Sequence, residues 1–193
     1  MKLKIIFFIT VTSIVMLFVF VQRNDKKSQP IFTSAAQPVI TPVQTETLNF
    51  MDSPEGSKTL TLVSNSLSIL SKPDGQKILI FKNEKTDPYK LEIPYNTWSP
   101  DNVYVFLKEK TPTIDDYLVF QSSGNIFPNN SAYVSIQELF KKDVPDYSIE
   151  DVTGWAAPNL LIVNTKANET GNKVSFWFDV PSLSFIQLGT YFK

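Results

Sequence analysis

The stretch of sequence that decides the fold is Trp98-Ser99-Pro100-Asp101-Asn102, which runs directly into Val103-Tyr104-Val105-Phe106-Leu107. Pro100 has a fixed φ and favours the corner of a tight turn, and an acidic residue beside it accepts turn hydrogen bonds. Asn102 is one of the few residue types that adopts a left-handed conformation at low cost. The apolar run that follows is rich in aromatic and β-branched residues. The stretch therefore predicts a tight turn that leads into a β-strand.

Three other places in the chain have a similar turn before an apolar run. They are Asp52-Ser53-Pro54-Glu55-Gly56, Lys72-Pro73-Asp74-Gly75 and Trp155-Ala156-Ala157-Pro158-Asn159. The recurrence of one turn type before one kind of strand indicates an irregular internal repeat.

Short apolar stretches separated by Pro, Asp, Asn and Gly are typical of β-strands. They predict strands at 60–63, 67–70, 77–81, 90–93, 103–107, 117–121, 160–164, 174–178 and 184–188. A single helix is predicted at Ser135-Ile136-Gln137-Glu138, a capping-box pattern, and Pro145 ends it. The sequence therefore predicts an all-β domain with one short helix.

In chain order, Trp98-Ser99-Pro100-Asp101-Asn102 is the third of these four turns. This turn and its strand resemble the Trp-Ser-Pro-Asp-Gly repeat of TolB-type, WD40-like β-propellers. The resemblance covers residues 52–188 and implies structural roles for Trp98, Ser99, Pro100 and Asp101, and in the fourth copy for Trp155 and Pro158. It implies that the tryptophans pack between sheets and that the domain is an extracytoplasmic interaction platform. The fourth copy lacks the acidic turn residue. The first two copies lack the tryptophan and lie only 19 residues apart, so both are predicted to belong to one blade.

The length of the domain conflicts with a closed propeller. Propellers close with about 4–8 four-stranded blades, and 144 residues make about three blades at roughly 40–45 residues each. Two architectures therefore remain open: an incomplete propeller whose open edges are covered by self-association, or another compact β fold such as a β-sandwich.

The N-terminus predicts a membrane anchor. Residues 5–21 contain no charge and are apolar on every side, and Lys2 and Lys4 precede them. About 17 residues of helix nearly span a hydrocarbon core of roughly 30 Å. No small-residue cleavage site follows closely, so we expect an uncleaved signal anchor (1–21), a Pro- and Thr-containing linker (22–49) and an extracytoplasmic β domain (50–193).

Composition excludes several classes of function. The chain has no His and no Cys, a single Arg (Arg23) and a formal net charge of −1. These counts argue against Ser-His triads, thiolate catalysis, the usual zinc sites and nucleic-acid binding. No phosphate-binding or dinucleotide-binding glycine pattern is present, so no cofactor is expected.

Two acidic groups are weak candidates for chemistry. Asp143, Asp146, Glu150 and Asp151 offer oxygens for Ca²⁺ but match no known loop spacing, and we interpret them as a solvated loop. Asp115-Asp116 offers the paired carboxylates of glycoside hydrolysis, but adjacent acids are common on surface loops. No catalytic or metal-binding residue is therefore predicted.

Trp177 is the one candidate for a binding surface. It alternates with Phe176 and Phe178, so it lies on the opposite side of its strand with Ser175 and Asp179. Such a tryptophan packs against a second sheet or binds a ligand, and packing is the favoured interpretation. The expected function is a non-catalytic, membrane-tethered module that binds a protein or an envelope polymer; a carboxylate-dependent glycan hydrolase and a self-assembling surface subunit are the alternatives.

Overall fold

The structure is a computed structural model that describes residues 49–85 and 88–192. The predicted membrane anchor and nearly all of the predicted linker lie outside the described residues. Within those two ranges no helix is both long and apolar enough to cross a membrane. The first strand begins at Asn49, one residue before the predicted start of the domain.

The described residues form three four-stranded antiparallel sheets, each made of strands that follow one another in the chain. The first sheet contains β1 (Asn49–Asp52), β2 (Lys58–Val63), β3 (Ser66–Ser71) and β4 (Lys77–Lys82). The second contains β5 (Lys90–Glu92), β6 (Tyr104–Lys110), β7 (Asp116–Gln121) and β8 (Val134–Ser135). The third contains β9 (Tyr147–Ala157), β10 (Leu160–Ala167), β11 (Lys173–Asp179) and β12 (Ser184–Gln187).

Helix α1 (Ile136–Asp143) connects the second sheet to the third. Ser135 caps it, since the Ser135 hydroxyl accepts a hydrogen bond from the Glu138 N–H at 3.0 Å. Lys141 and Lys142 lie in the last turn, where the helix dipole favours positive charge. Buried Ile136 and Phe140 fix the helix to the core.

The second sheet lies between the other two and is buried on both sides. Val105, Leu107, Leu118 and Phe120 pack with apolar residues of the first sheet, and the alternate residues Phe106 and Val119 pack with those of the third. This is why the strands of the second sheet read as continuous apolar runs and not as alternating ones. A row of three sheets differs from the two-sheet sandwich considered above and agrees with incomplete propeller-like blades.

For the residues that the structure describes, the prediction of an all-β domain with one short helix is confirmed, and each of the nine predicted strands is present. The first two Pro-containing turns both belong to the first sheet, as predicted from their spacing. Three strands were not predicted: β1, β8 and β9. The longest, β9, replaces what we interpreted as an acidic loop, because three register shifts against β10 interrupt the alternation that identifies a strand.

Candidate functional site

The turn between β5 and β6 of the second sheet occurs a second time, between β1 and β2 of the first sheet, with the same hydrogen bonds. Ser99 N–H donates to Tyr104 O at 2.9 Å, and Ser99 Oγ accepts from Tyr104 N–H at 2.9 Å. Ser53 makes the same pair of bonds with Lys58, at 2.8 and 3.0 Å. Both serines are buried, and each turn has a residue of positive φ three positions later, Asn102 and Gly56. The two turns therefore define equivalent positions in the two sheets.

A tryptophan spans each junction between sheets. The indole N–H of Trp98 donates to the carbonyl of Met51 in the first sheet at 3.1 Å. The indole N–H of Trp155 donates to the carbonyl of Thr97, beside the second sheet, at 3.3 Å. Trp98 is 6% exposed and Trp155 packs against the core between the second and third sheets. Each sheet is thus joined to the one before it by the same kind of bond.

The remaining repeat residues shape the turns. Asp101 accepts from Ser99 Oγ at 2.6 Å and from Val103 N–H at 3.1 Å, and Pro100 lies at the exposed corner between them. In the fourth copy Pro158 and Asn159 form a two-residue turn, because Ala157 pairs directly with Leu160. Asn159 donates to Asp179 Oδ1 at 2.7 Å. All of these residues act within the fold.

Asp115 and Asp116 are adjacent but belong to different networks. Asp115 forms ion pairs with Lys108 at 3.1 Å and Lys110 at 2.8 Å. Asp116 accepts from Ser135 Oγ at 2.6 Å and from Gln137 N–H at 3.1 Å, so it stabilises the start of α1. Both carboxylates have local structural partners, which gives no support to their use as a catalytic pair.

The pKa values of the two carboxyl groups are shifted in opposite directions. Burial, together with the charge of Glu109, raises the pKa of Asp116 above its ordinary value, although three hydrogen bonds oppose the shift. Burial also acts to raise the pKa of Asp115, but the hydrogen bonds and charges of Lys110 and Lys108 outweigh it and hold that pKa below the ordinary value. Asp116 in the folded protein therefore keeps its proton to higher pH than in the unfolded chain, and Asp115 loses it at lower pH.

Asp116→Asn is expected to gain stability relative to the wild type as pH rises from about 3 to about 7, because ionisation of Asp116 costs the folded state free energy in that window. Asp115→Asn is expected to lose stability relative to the wild type over the same window, because it lacks an ionised partner for Lys108 and Lys110. Urea unfolding of both variants at several pH values measures the two slopes. Slopes of the same sign would contradict the assignment.

The acidic cluster proposed from sequence is dispersed in the structure. Glu150 and Asp151 lie in β9, where Glu150 pairs with Lys173 at 2.7 Å and Asp151 accepts from Tyr117 Oη at 2.8 Å. Across residues 49–85 and 88–192 no group of three acidic side chains is placed to hold a metal ion. The interpretation of the cluster as a solvated loop is also wrong, since two of its members belong to a strand.

Trp177 lies on the outer side of the third sheet, away from the second sheet. We define the Trp177 face as the side of this sheet that carries Ile162, Asn164, Ser175, Trp177 and Ile186. Ile162, Trp177 and Ile186 are direct cross-strand partners and form one apolar row. Ile186 is 47% exposed. The indole N–H of Trp177 is buried and has no acceptor within the part of the chain that the structure describes.

The chain after β12 covers the polar half of the Trp177 face. Ser175 N–H donates to Thr190 O at 2.9 Å, and Phe192 N–H donates to Ser175 Oγ at 2.9 Å. Asn164 Nδ2 donates to Phe192 O at 2.7 Å. These bonds bury Asn164 and Ser175 and leave the apolar row of Ile162, Trp177 and Ile186 as the open part of the face.

Ile162 and Ile186 were not singled out from the sequence, although strand alternation around Trp177 gives a usable signal. Once β10, β11 and β12 are aligned as antiparallel neighbours, the two isoleucines fall opposite Trp177 on the same side. The pairing itself is the information that the sequence lacks.

A second open feature lies between the first strands of the first two sheets. It is a cleft of about 490 Å³. Phe50 is 64% exposed beside it. The cleft is lined by Asn49, Phe50, Met51, Lys90, Glu92 and Ile93. Its lining is mixed in polarity and contains one lysine and one glutamate. The cleft therefore indicates a class of ligand less clearly than the apolar row on the Trp177 face does.

Comparison with known proteins gives a likeness in structure but none in sequence. No protein-family model and no curated protein sequence matches the chain. Among solved structures, dipeptidyl peptidase 4 from Porphyromonas gingivalis matches with a TM-score of 0.51 and 10% sequence identity. The match covers 72% of this chain and 25% of that chain, so this chain corresponds to about a quarter of the peptidase. At this identity the likeness concerns the fold alone.

Proposed function

We propose that this protein is a non-catalytic binding module, related to TolB-type propeller repeats and tethered to the outside of a membrane, that docks a protein partner through the Trp177 face. The observation that carries the proposal is the apolar row on that face. In the first and second sheets, the residues on the corresponding side pack against the next sheet. In the third sheet the same side presents Trp177 and its two isoleucine neighbours to the surroundings.

The positions correspond strand by strand. Trp98 bridges to Val105, and Trp155 pairs with Leu161, so Phe106 of the second sheet corresponds to Ile162 of the third. By the same register Val119 corresponds to Trp177, and Val134 corresponds to Ile186. Phe106, Val119 and Val134 are each at most 2% exposed because the third sheet covers them. Their counterparts therefore form a surface suited to a further layer of protein.

The outer face of the first sheet exposes Phe50 (64%) and Leu79 (61%) at its edges, but Thr61 and Ser68 lie between them, so they form no continuous apolar row. Thr59 and Thr61 stand where the second sheet has Val105 and Leu107, and Ser68 stands where it has Leu118. Threonine and serine tolerate water at these positions. The binding function is therefore assigned to the third sheet.

The experiment compares Ile186→Asp with Leu79→Asp in the tagged full-length chain. Leu79 is 61% exposed on the outer side of the first sheet and is the matched control. After gentle solubilisation of the source membranes, co-purified proteins are quantified by mass spectrometry. We expect a protein that is retained by the wild type and by Leu79→Asp, and depleted at least about tenfold by Ile186→Asp, since one desolvated charge in an apolar contact costs more than about 1.4 kcal/mol.

Two results would count against the proposal. Equal depletion by both variants would indicate general loss of folding, which circular dichroism and urea unfolding of the purified variants would reveal. A partner that survives Ile186→Asp would place the binding site elsewhere, and the cleft beside Phe50 would be the next candidate.

A further inference from the structure

Resting on the proposed function, we propose that the partner on the Trp177 face is a second copy of this chain, docked face to face about a two-fold axis that runs across the strands of the third sheet. The proposal names the occupant of the site.

A second copy cannot complete the face by a head-to-tail arrangement that repeats the junctions within the chain. Each internal junction uses an indole N–H that donates to a carbonyl of the preceding sheet. In the first sheet the place of Trp98 is taken by Asp52, which has no proton to donate and instead accepts from Thr59 and Lys72 at 2.6 and 2.9 Å. On the outer face around it, Thr61 and Ser68 separate the exposed side chains of Phe50 and Leu79, so this face has no continuous apolar row to match.

The Trp177 face, in contrast, is suited to packing against itself. Its apolar row runs across β10, β11 and β12. A two-fold axis along this row therefore places Ile162, Trp177 and Ile186 of one copy against the same residues of the other. Interfaces of this isologous kind are the commonest among soluble oligomers. The exposed isoleucine and the half-buried indole would then be covered at the same time.

The charges at the ends of the face agree with this orientation. Lys166 and Lys173 are cross-strand partners at one end, and Asp179 lies at the other end of β11. Glu150 neutralises one of the two lysines through its bond to Lys173. One end is therefore left with a positive charge and the other with a negative charge. A two-fold axis across the strands brings the Asp179 end of one copy over the lysine end of its partner, where the charges attract.

The area sets the expected strength. The open row spans three strands about 4.8 Å apart, and with the residues beside it along each strand it covers roughly 200 Å² per copy. The total of roughly 400 Å² is far below the roughly 1,200–2,000 Å² of stable complexes, so the dimer is expected to be weak, with a dissociation constant in the high-micromolar range. Attachment of both copies to one membrane would raise their effective concentration and favour the dimer.

Disulfide trapping tests the arrangement directly, since the chain contains no Cys and a single introduced thiol has one possible partner. The full-length chain in detergent is oxidised as Ile186→Cys, as Leu79→Cys and as the double variant. We expect a covalent dimer with Ile186→Cys and none with Leu79→Cys. In parallel, sedimentation equilibrium over about 1–500 μM should give a monomer–dimer equilibrium that Ile186→Asp weakens at least about tenfold.

The outcomes separate this inference from the proposed function. Cross-linking that requires both cysteines would overturn the face-to-face dimer in favour of a head-to-tail one. A chain that stays monomeric throughout, and yields no Ile186→Cys dimer, would also overturn it. If such a monomer still captured a different protein through Ile186, the proposed function would stand and the second copy would be excluded. If neither a second copy nor another protein depended on Ile186, both proposals would fail.

Discussion

Replacement of Trp98 by Ala is expected to lower the free energy of unfolding by about 3–5 kcal/mol, the usual cost of removing a large buried aromatic side chain. Trp98 is 6% exposed and belongs to the core between the first and second sheets. Its indole also supplies the hydrogen bond to Met51 O that joins the two sheets. Since domains of this size have about 5–15 kcal/mol of stability, the variant should lose a large part of it.

Two further variants separate packing from hydrogen bonding at this junction. Trp98→Phe keeps most of the apolar contact and loses only the bond to Met51 O, so it should cost the hydrogen-bond term of about 1 kcal/mol plus a small packing loss. Tyr95→Ala, at a side chain that is 88% exposed, should change stability by less than about 0.5 kcal/mol. Urea unfolding followed by far-UV circular dichroism measures all three. A Trp98→Ala loss no larger than that of Tyr95→Ala would show that the indole does not stabilise the junction.

Gly154→Ala is expected to be the second large effect, with a loss of about 2–5 kcal/mol from backbone strain and steric overlap together. Gly154 has φ +139°, a conformation that side-chain-bearing residues rarely adopt. A Cβ atom added there would lie 2.7 Å from Asn96 Cβ, closer than such atoms approach one another. Asn96 is itself held beside β9 by a bond from its Nδ2 to Thr153 O at 3.2 Å.

Gly75→Ala measures the cost of a positive φ at a site without steric overlap. Gly75 also has a positive φ, +67°, but nothing lies within 4 Å of an added Cβ. Gly75→Ala should therefore lower the free energy of unfolding by about 1–2 kcal/mol through backbone conformation alone. Adding Asn96→Gly to Gly154→Ala removes the overlapping atom and should recover part of the loss, as a double-mutant cycle would measure. No recovery would indicate that the backbone conformation alone accounts for the cost.

The sequence predicted most strands because most of them begin or end at a recognisable turn. The Pro-containing turns and the Gly or Asn at positive φ were visible as residue types. Strand β9 was missed because it is bulged and rich in polar residues, including Glu150 and Asp151. Its strand character depends on a bulged pairing with β10, which the alternation of apolar and polar residues does not reveal.

The candidate site was predicted only through Trp177. Alternation with Phe176 and Phe178 assigns Trp177 to the outer side of β11, but packing against a second sheet was the favoured interpretation. In the structure the second sheet lies on the other side, against Phe176 and Phe178. The role of Asp116 at the start of α1 likewise depends on a contact between residues nineteen positions apart, to Ser135.

The burial of the second sheet on both sides has a consequence for the order in which the domain opens. Amide protons of β6 and β7 are covered by protein on each side and should exchange with solvent only through global unfolding. Those of β1, β4 and β12 each border solvent on one side and should exchange through smaller local openings. Hydrogen exchange should therefore fall into two tiers that follow the position of each sheet in the row, slower in the central sheet and faster in the two outer sheets.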